Sequence, residues 1–278
     1  MLPDLTTAQF VLLATLGVGV GTLGTMVGVG GGFLLVPVLL FLFPDAEPAT
    51  IVSMSLTAVV LTGASATVGY RRQRLQDLRT GAIFIATALP ASVLGALLTR
   101  AISRGAFDVI FGAVLVVGAV FIAWRGLRLA AAPERSRRGR ERRIVDRSGR
   151  VFEYWVNEPL AASIAPVAGF FASFFGIGGG IAHVPVMILV LRIPSAVAVA
   201  TSQLELMTAS AAALAVHAAF TLDQPELWLR ALIVGAGSAS GAQIGVRLAR
   251  LVGGRFVLRV IAAGLLLAGV RQLVSALT

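Results

Sequence analysis

Gly28, Gly30, Gly31 and Gly32 fall inside a stretch that is otherwise apolar from Gly17 to Phe43 (GVGVGTLGTMVGVGGGFLLVPVLLFLF), with Pro37 just beyond them. Glycine is among the least stable residues in a helix interior, so such a cluster within a membrane-length apolar run marks a break. Lipid offers no hydrogen bonds, so the backbone released there must be buried in protein or line a polar cavity. The arrangement recurs in the C-terminal half, where GFFASFFGIGGGIAHVPVMILV carries Gly176, Gly178, Gly179, Gly180 and Pro185 at matching spacing. Corresponding breaks in two halves of a chain point to a transporter's binding site.

The rest of the chain agrees with a membrane setting. Only 13% of its 278 residues are charged and 57% are hydrophobic, against about a quarter charged in soluble domains. Apolar segments long enough to span a bilayer lie at about 8–27, 49–69, 80–99, 106–124, 159–175, 195–219, 227–249 and 256–275. Phe33–Phe43 and residues 181–191 are half as long and follow the two breaks. Residues 1–7 carry no basic stretch and no A-x-A site follows, so the first segment is expected to stay in the mature protein. The plan is an all-α membrane protein of two homologous repeats, 1–127 and 159–278. Each has a glycine-broken helical hairpin plus three transmembrane helices, and the repeats are joined by a basic linker over 128–158. The stretch from 125 to 158 holds ten arginines and five acids, and reads as a surface helix or short hairpin.

Arginine placement sets orientation. The 71–79 loop (four arginines) and the linker are expected in the cytoplasm, with the protein multi-pass in the cell inner membrane. In the second half the equivalent of 71–79 is FTLDQPEL, acidic and without arginine, whereas the 247–255 loop is basic. Equivalent loops of opposite sign favour inverted halves over a parallel arrangement, although Arg100 and Arg104, placed outside, run against it. The net charge of +10 comes entirely from arginines crowded into loops, so nucleic acid is not an expected partner. The absence of cysteine excludes disulfides and thiolate chemistry.

Among the motifs, Gly19-Val-Gly21-Thr-Leu-Gly24 matches a dinucleotide fingerprint but lacks its strand and acid, so it reads as helix packing. Gly237, Gly241 and Gly245 form a similar stripe, within the bundle or at a homodimer interface. At the breaks, glycines let successive N–H groups converge and the following half-helix presents its positive end, a setting for a small anion. The substrate-binding candidates are Gly28, Gly30, Gly31, Gly32, Gly176, Gly178, Gly179 and Gly180, with Ser53, Ser55, Thr201, Ser202, Gln203 and Gln243 as neutral donors. Glu205 is the one acid well inside a span, and ionisable groups at that depth are costly enough to suggest function. With His183, three residues past Gly180, and His217 further on, it is a proton-coupling candidate. No spacing matches a metal motif and no cofactor is expected.

The paired segments GTMVGVGGGFLLVPVL and ASFFGIGGGIAHVPVMI, and the stretches VSMSL and ATSQL after them, resemble the signature of the TauE/SafE-type sulfite exporter family. The resemblance covers nearly the whole chain, with Met54 standing where a threonine is expected. It implies a transporter of a small sulfur anion, sulfite or a C2 sulfonate such as sulfoacetate, most simply an exporter, with contacts at the two glycine clusters, Pro37, Pro185, Ser55, Thr201 and Ser202. An anion channel on the same hairpins and, remotely, a membrane-embedded enzyme are the competing readings.

Overall fold

The computed structural model describes residues 6–129, 139–221 and 225–277. Thr7–Val27 (α1) is opened by a capping box, with the Thr6 side chain on the Gln9 amide and the Gln9 side chain on the Thr6 amide. It ends at the first glycine, Gly28, which is left-handed. Gly32–Leu42 (α2) is the half-span, and Pro48–Arg72 (α3), Leu78–Leu98 (α4) and Arg104–Leu129 (α5) complete the first half. An antiparallel hairpin of Arg140–Val145 (β1) and Val151–Val156 (β2) follows. The second half holds Glu158–Phe174 (α6), Gly180–Pro185 (α7), Ser195–Thr221 (α8), Pro225–Leu248 (α9) and Gly254–Leu277 (α10). Six helices among the described residues are long and apolar enough to cross a bilayer. Large apolar side chains such as Phe10, Leu97, Val117 and Leu267 face outward, as a lipid-exposed belt requires. The fold is therefore an all-α membrane protein, with one short hairpin at its surface.

Small residues set how the helices pack. Ala14, Val18 and Thr22 of α1 meet Gly237, Gly241 and Gly245 of α9 in order, and Gly17 and Gly21 meet Val234 and Ser238, a parallel interface inside the bundle. Of the other glycines in the α1 motif, Gly24 packs on Gly31 instead and Gly19 touches nothing. Thr22 and Ser238 hydroxyls cross it to the carbonyls of Gly241 and Gly17. The helices α4 and α6 repeat the device: Gly169 lies against Ala88 and Ser92, Gly95 against Phe170, and Ser92 and Thr99 donate to the Gly169 and Phe174 carbonyls. Partners also correspond beyond these pairs, with α3 on α9 and α8 on α4, while α3 lies on α8 and α5 on α10.

The first break is re-entrant. The amides of Val29 and Gly30 both donate to the Gly24 carbonyl, and Gly31 comes to rest against Val20. The chain thus doubles back along the last two turns of α1 before α2 starts. Because α3 runs parallel to α9, as α1 does, α2 must return toward the face where α1 began. On that face Arg104 donates to the carbonyls of Ala46 (2.6 Å) and Leu40 (3.4 Å) and pairs with Asp108. These contacts give Arg104 partners at the end of α2, where its charge meets helix-end carbonyls.

The second half-span differs from the regular helix expected over 181–191. It is one α-turn to Pro185, then a widened π-turn over Val186–Val190, with the Leu191 amide bonded to Val186. Proline cannot donate to the preceding turn, and the ladder re-forms with a longer step.

Candidate functional site

The two breaks meet, and each is fastened by the other half of the chain. The Ser55 hydroxyl donates to the Gly176 carbonyl at 2.6 Å, and the Ser202 hydroxyl to the Gly28 carbonyl at 2.8 Å. Gly176 lies against Val52 and Gly28 against Val199, at corresponding places on α3 and α8. Gly32 faces the Ile177 carbonyl, and Gly180 faces the Gly28 carbonyl and Val29. No side chain fits between these surfaces, which is why glycine recurs there. All eight candidate glycines are buried, as are Ser53, Ser55, Thr201, Ser202 and Gln203.

The candidate donors separate into groups. Ser55 and Ser202 reach the opposite break. Ser53 donates to the Ala49 carbonyl of its own helix at 2.6 Å, the ordinary fate of a helical serine. Thr201 turns toward the α3–α4 connection, where its oxygen accepts from the Asp77 amide at 3.0 Å. Gln203 is fully buried with neither end of its amide hydrogen-bonded. The structure does not bring Gln243 to the breaks: its amide donates to the Ser65 carbonyl and hydroxyl, at the α3–α9 interface. Ser65 stands ten residues beyond Ser55 on α3, about 15 Å along a helix.

The ionisable candidates also separate. His183 Nδ1 lies 2.6 Å from Glu205 Oε2, and both side chains are wholly buried. The ring's Nε2 is 3.4 Å from the Ala165 carbonyl, and Phe84 approaches the ring edge-on at 5.1 Å. Gly179 faces the pair directly: a Cβ there would lie 2.6 Å from His183 Nδ1 and 2.7 Å from Glu205 Oε2. His217, also buried, is three turns further along α8 and outside this contact. Among the described residues no group of three metal-ligating side chains forms.

Gly178 and Gly179 also line an apolar cavity of about 250 Å³, walled further by Val114, Gly118, Ile164, Phe171 and Ala182.

Sequence reasoning missed a polar cluster on the arginine-rich face. Tyr154 of β2 donates to Asp77 Oδ2 at 2.8 Å, and Asp77 also caps α4 through the Thr80 amide and hydroxyl. Arg142 of β1 bridges Asp77 at 3.5 Å and pairs with Glu158 at the start of α6, which Arg79 also reaches at 3.1 Å. Burial, then the neighbouring Asp77 carboxylate, holds the Tyr154 phenol far above its usual range. Tyr154 and Val156 pack with Phe84, Met187, Leu191 and Val197, so the hairpin seats on the half-span after the second break. The sequence RRIVDRSGRVFEYWV left a surface helix or a short hairpin open; the structure shows the hairpin, and nothing in the letters announced where it would land.

The description "Sulfite exporter TauE/SafE" matches residues 13–272. The chain is 31% identical over 268 residues to "Probable membrane transporter protein YunE" of Bacillus subtilis (strain 168), covering 94% of this chain and 96% of that protein. It is 28% identical over 184 residues to "Probable membrane transporter protein MJ0441" of Methanocaldococcus jannaschii, covering 63% and 60% of the two chains. No solved structure gives a significant match.

Proposed function

This chain belongs to the sulfite exporter TauE/SafE family of membrane transporters, and from that premise we propose that it carries a small sulfur-containing anion, sulfite or a C2 sulfonate such as sulfoacetate, out of the cell by alternating access. The carrying observation is the reciprocal fastening of the two breaks, Ser55 on Gly176 and Ser202 on Gly28. In this reading the halves are inverted repeats with the linker hairpin in the cytoplasm, and the anion enters between the breaks when they part. The first amides of α2, ahead of the Leu34 and Leu35 bonds to the Gly31 carbonyl, have no partner inside their own helix, and those donors take the negative charge. A membrane potential negative inside drives a net negative solute outward, by about 2.3 kcal/mol per charge for 100 mV.

The test is flux in proteoliposomes. Sulfite or sulfoacetate should cross only with the protein present, at carrier rather than channel rates. Gly31→Val and Gly179→Val should each abolish the flux. Undiminished flux in both variants would remove the breaks from the site, and absence of flux for every sulfur anion tried would overturn the substrate class.

A further inference from the structure

The second bend holds something the first lacks. Where α7 and α8 place His183 and Glu205, the corresponding positions of the first half are Leu35 and Ala58, both buried and apolar. We propose that His183 and Glu205 form a single proton-binding site, joined to the anion through Gly179, so that the pair takes up one proton when an anion enters the bend and gives it up when the anion leaves. This rests on the transport reading above and specifies how its site is regulated.

The argument begins with burial. Neither oxygen of Glu205 has a conventional hydrogen bond among the described residues, and the 2.6 Å approach of His183 Nδ1 is its one polar contact. An ionised carboxylate at that depth is costly without a partner, and the 2.6 Å contact gives the pair a place to bind one proton between its two groups. Carboxylate beside imidazolium, or carboxylic acid beside imidazole, both leave the pair neutral. Losing that proton leaves a full negative charge beside Gly179, against the bend proposed to receive an anion. Among the described residues no arginine pairs with Glu205 to offset it. The helix α4 offers Phe84, α6 the Ala165 carbonyl and α7 Gly179 itself. The charged groups on the elements packed around the pair include Asp77, Arg142, Glu158 and Arg79, which pair among themselves on the arginine-rich face, with the Tyr154 hydroxyl on Asp77. The bare pair therefore repels an anion and the protonated pair admits it. Proton and anion bind with positive linkage, reciprocal by thermodynamic necessity. Only an O–H or N–H bond to the pair forms or breaks, and the proton exchanges with water.

Gly179 makes the link mechanical. Its φ of −57° is open to any residue, so glycine stands there because the pair fills the space of a side chain. The cavity lined by Gly178 and Gly179, and the widened turn after Pro185, leave the bend room to shift when the pair changes charge. One pair in one half gives one proton per anion, and a divalent sulfur anion still crosses with a net negative charge.

The test uses proteoliposomes holding the full chain, with sulfoacetate as the anion and a pH-sensitive dye inside; both acidic groups of sulfoacetate stay ionised over about pH 5.5 to 8. Sulfoacetate entry should carry protons with it, one per anion, and at subsaturating sulfoacetate the rate should rise as pH falls, by at most about tenfold per unit. E205Q, which keeps the shape and removes the titration, should flatten that slope at whatever rate remains. H183Q, which keeps the carboxyl and removes its partner, should shift or abolish it. Sulfoacetate flux without proton movement, or a wild-type slope persisting in either variant, overturns the proton site and leaves the transport reading standing. No sulfoacetate, sulfite or other sulfur-anion flux at any pH overturns both.

Discussion

The bend at Gly28–Gly31 and the bend at Gly176–Gly179 are written in nearly the same residues and are held for different reasons. In the first, Gly31 is left-handed, with φ of +85°, and rests on Val20; the half-helix after it is a regular eleven-residue α2. In the second, Gly179 is right-handed and is small because His183 and Glu205 lie against it; the chain beyond is one α-turn and a π-turn beside a cavity. The hairpin adds to the asymmetry, since Tyr154 and Val156 cover the second half-span. Two copies of one motif thus divide the work. One is a tightly packed frame, and the other carries ionisable groups and has space to move.

Single-residue changes can break this comparison. The largest effect is expected at Gly31→Ala: its Cβ would lie 2.8 Å from the Val20 carbonyl oxygen on a left-handed backbone. Strain and overpacking together should cost about 3 kcal/mol or more, seen as loss of monodisperse protein and a lower unfolding temperature in detergent. Gly179→Ala has no backbone strain, so the fold should survive while the pair is forced apart and the pH dependence of flux is lost. Equal damage from both changes would erase the distinction drawn here.

A smaller effect tests the crossing serines. Ser55→Ala should cost about 1 kcal/mol of stability in detergent, by removing the donor to a buried carbonyl. Ser202→Ala should cost more, less or the same according to how the hydroxyl divides between the Gly28 and Val199 carbonyls, 2.8 and 2.9 Å away; the expectation is less, because part of its bonding is local to α8. A larger loss at Ser202 would place the tighter clasp on the first bend.

The smallest effect lies in the hairpin turn. The Ser148 hydroxyl foremost, opposed by some desolvation, and then the Arg150 amide and guanidinium hold Asp146 at about 2, below the ordinary aspartate value. A depressed carboxylate stabilises the fold above the unfolded value near 4, and that contribution fades as pH falls toward about 2. Asp146→Asn should therefore speed hydrogen exchange of the β1–β2 amides at neutral pH, with little change in α2. Exchange that rises equally in both halves would mean that the hairpin supports the whole bundle.

Much of this was legible in the letters. Apolar length and glycine clusters placed the spans and both breaks, because a lipid surround leaves a backbone few options. Arginine crowding marked one face, and VSMSL and ATSQL contained the serines that fasten the breaks. Other features were not legible. Gln243 looked like Gln203, yet one pairs with Ser65 at a helix interface and the other is buried without a partner. Thr201 looked like Ser202, yet the step of about 100° between neighbouring helix residues aims it at Asp77. A residue type states what bonds are available, whereas the azimuth of a packed helix decides which of them form.

The sequence alone determined a chain of membrane helices broken twice by glycine, since both follow from local propensity and the missing hydrogen bonds of lipid. Tertiary structure alone decided that His183 on α7 and Glu205 on α8 lie 2.6 Å apart, and that Gly179 is the space they need. Contacts between distant segments depend on how helices rotate and cross, and side-chain packing sets that only when all of them are present at once.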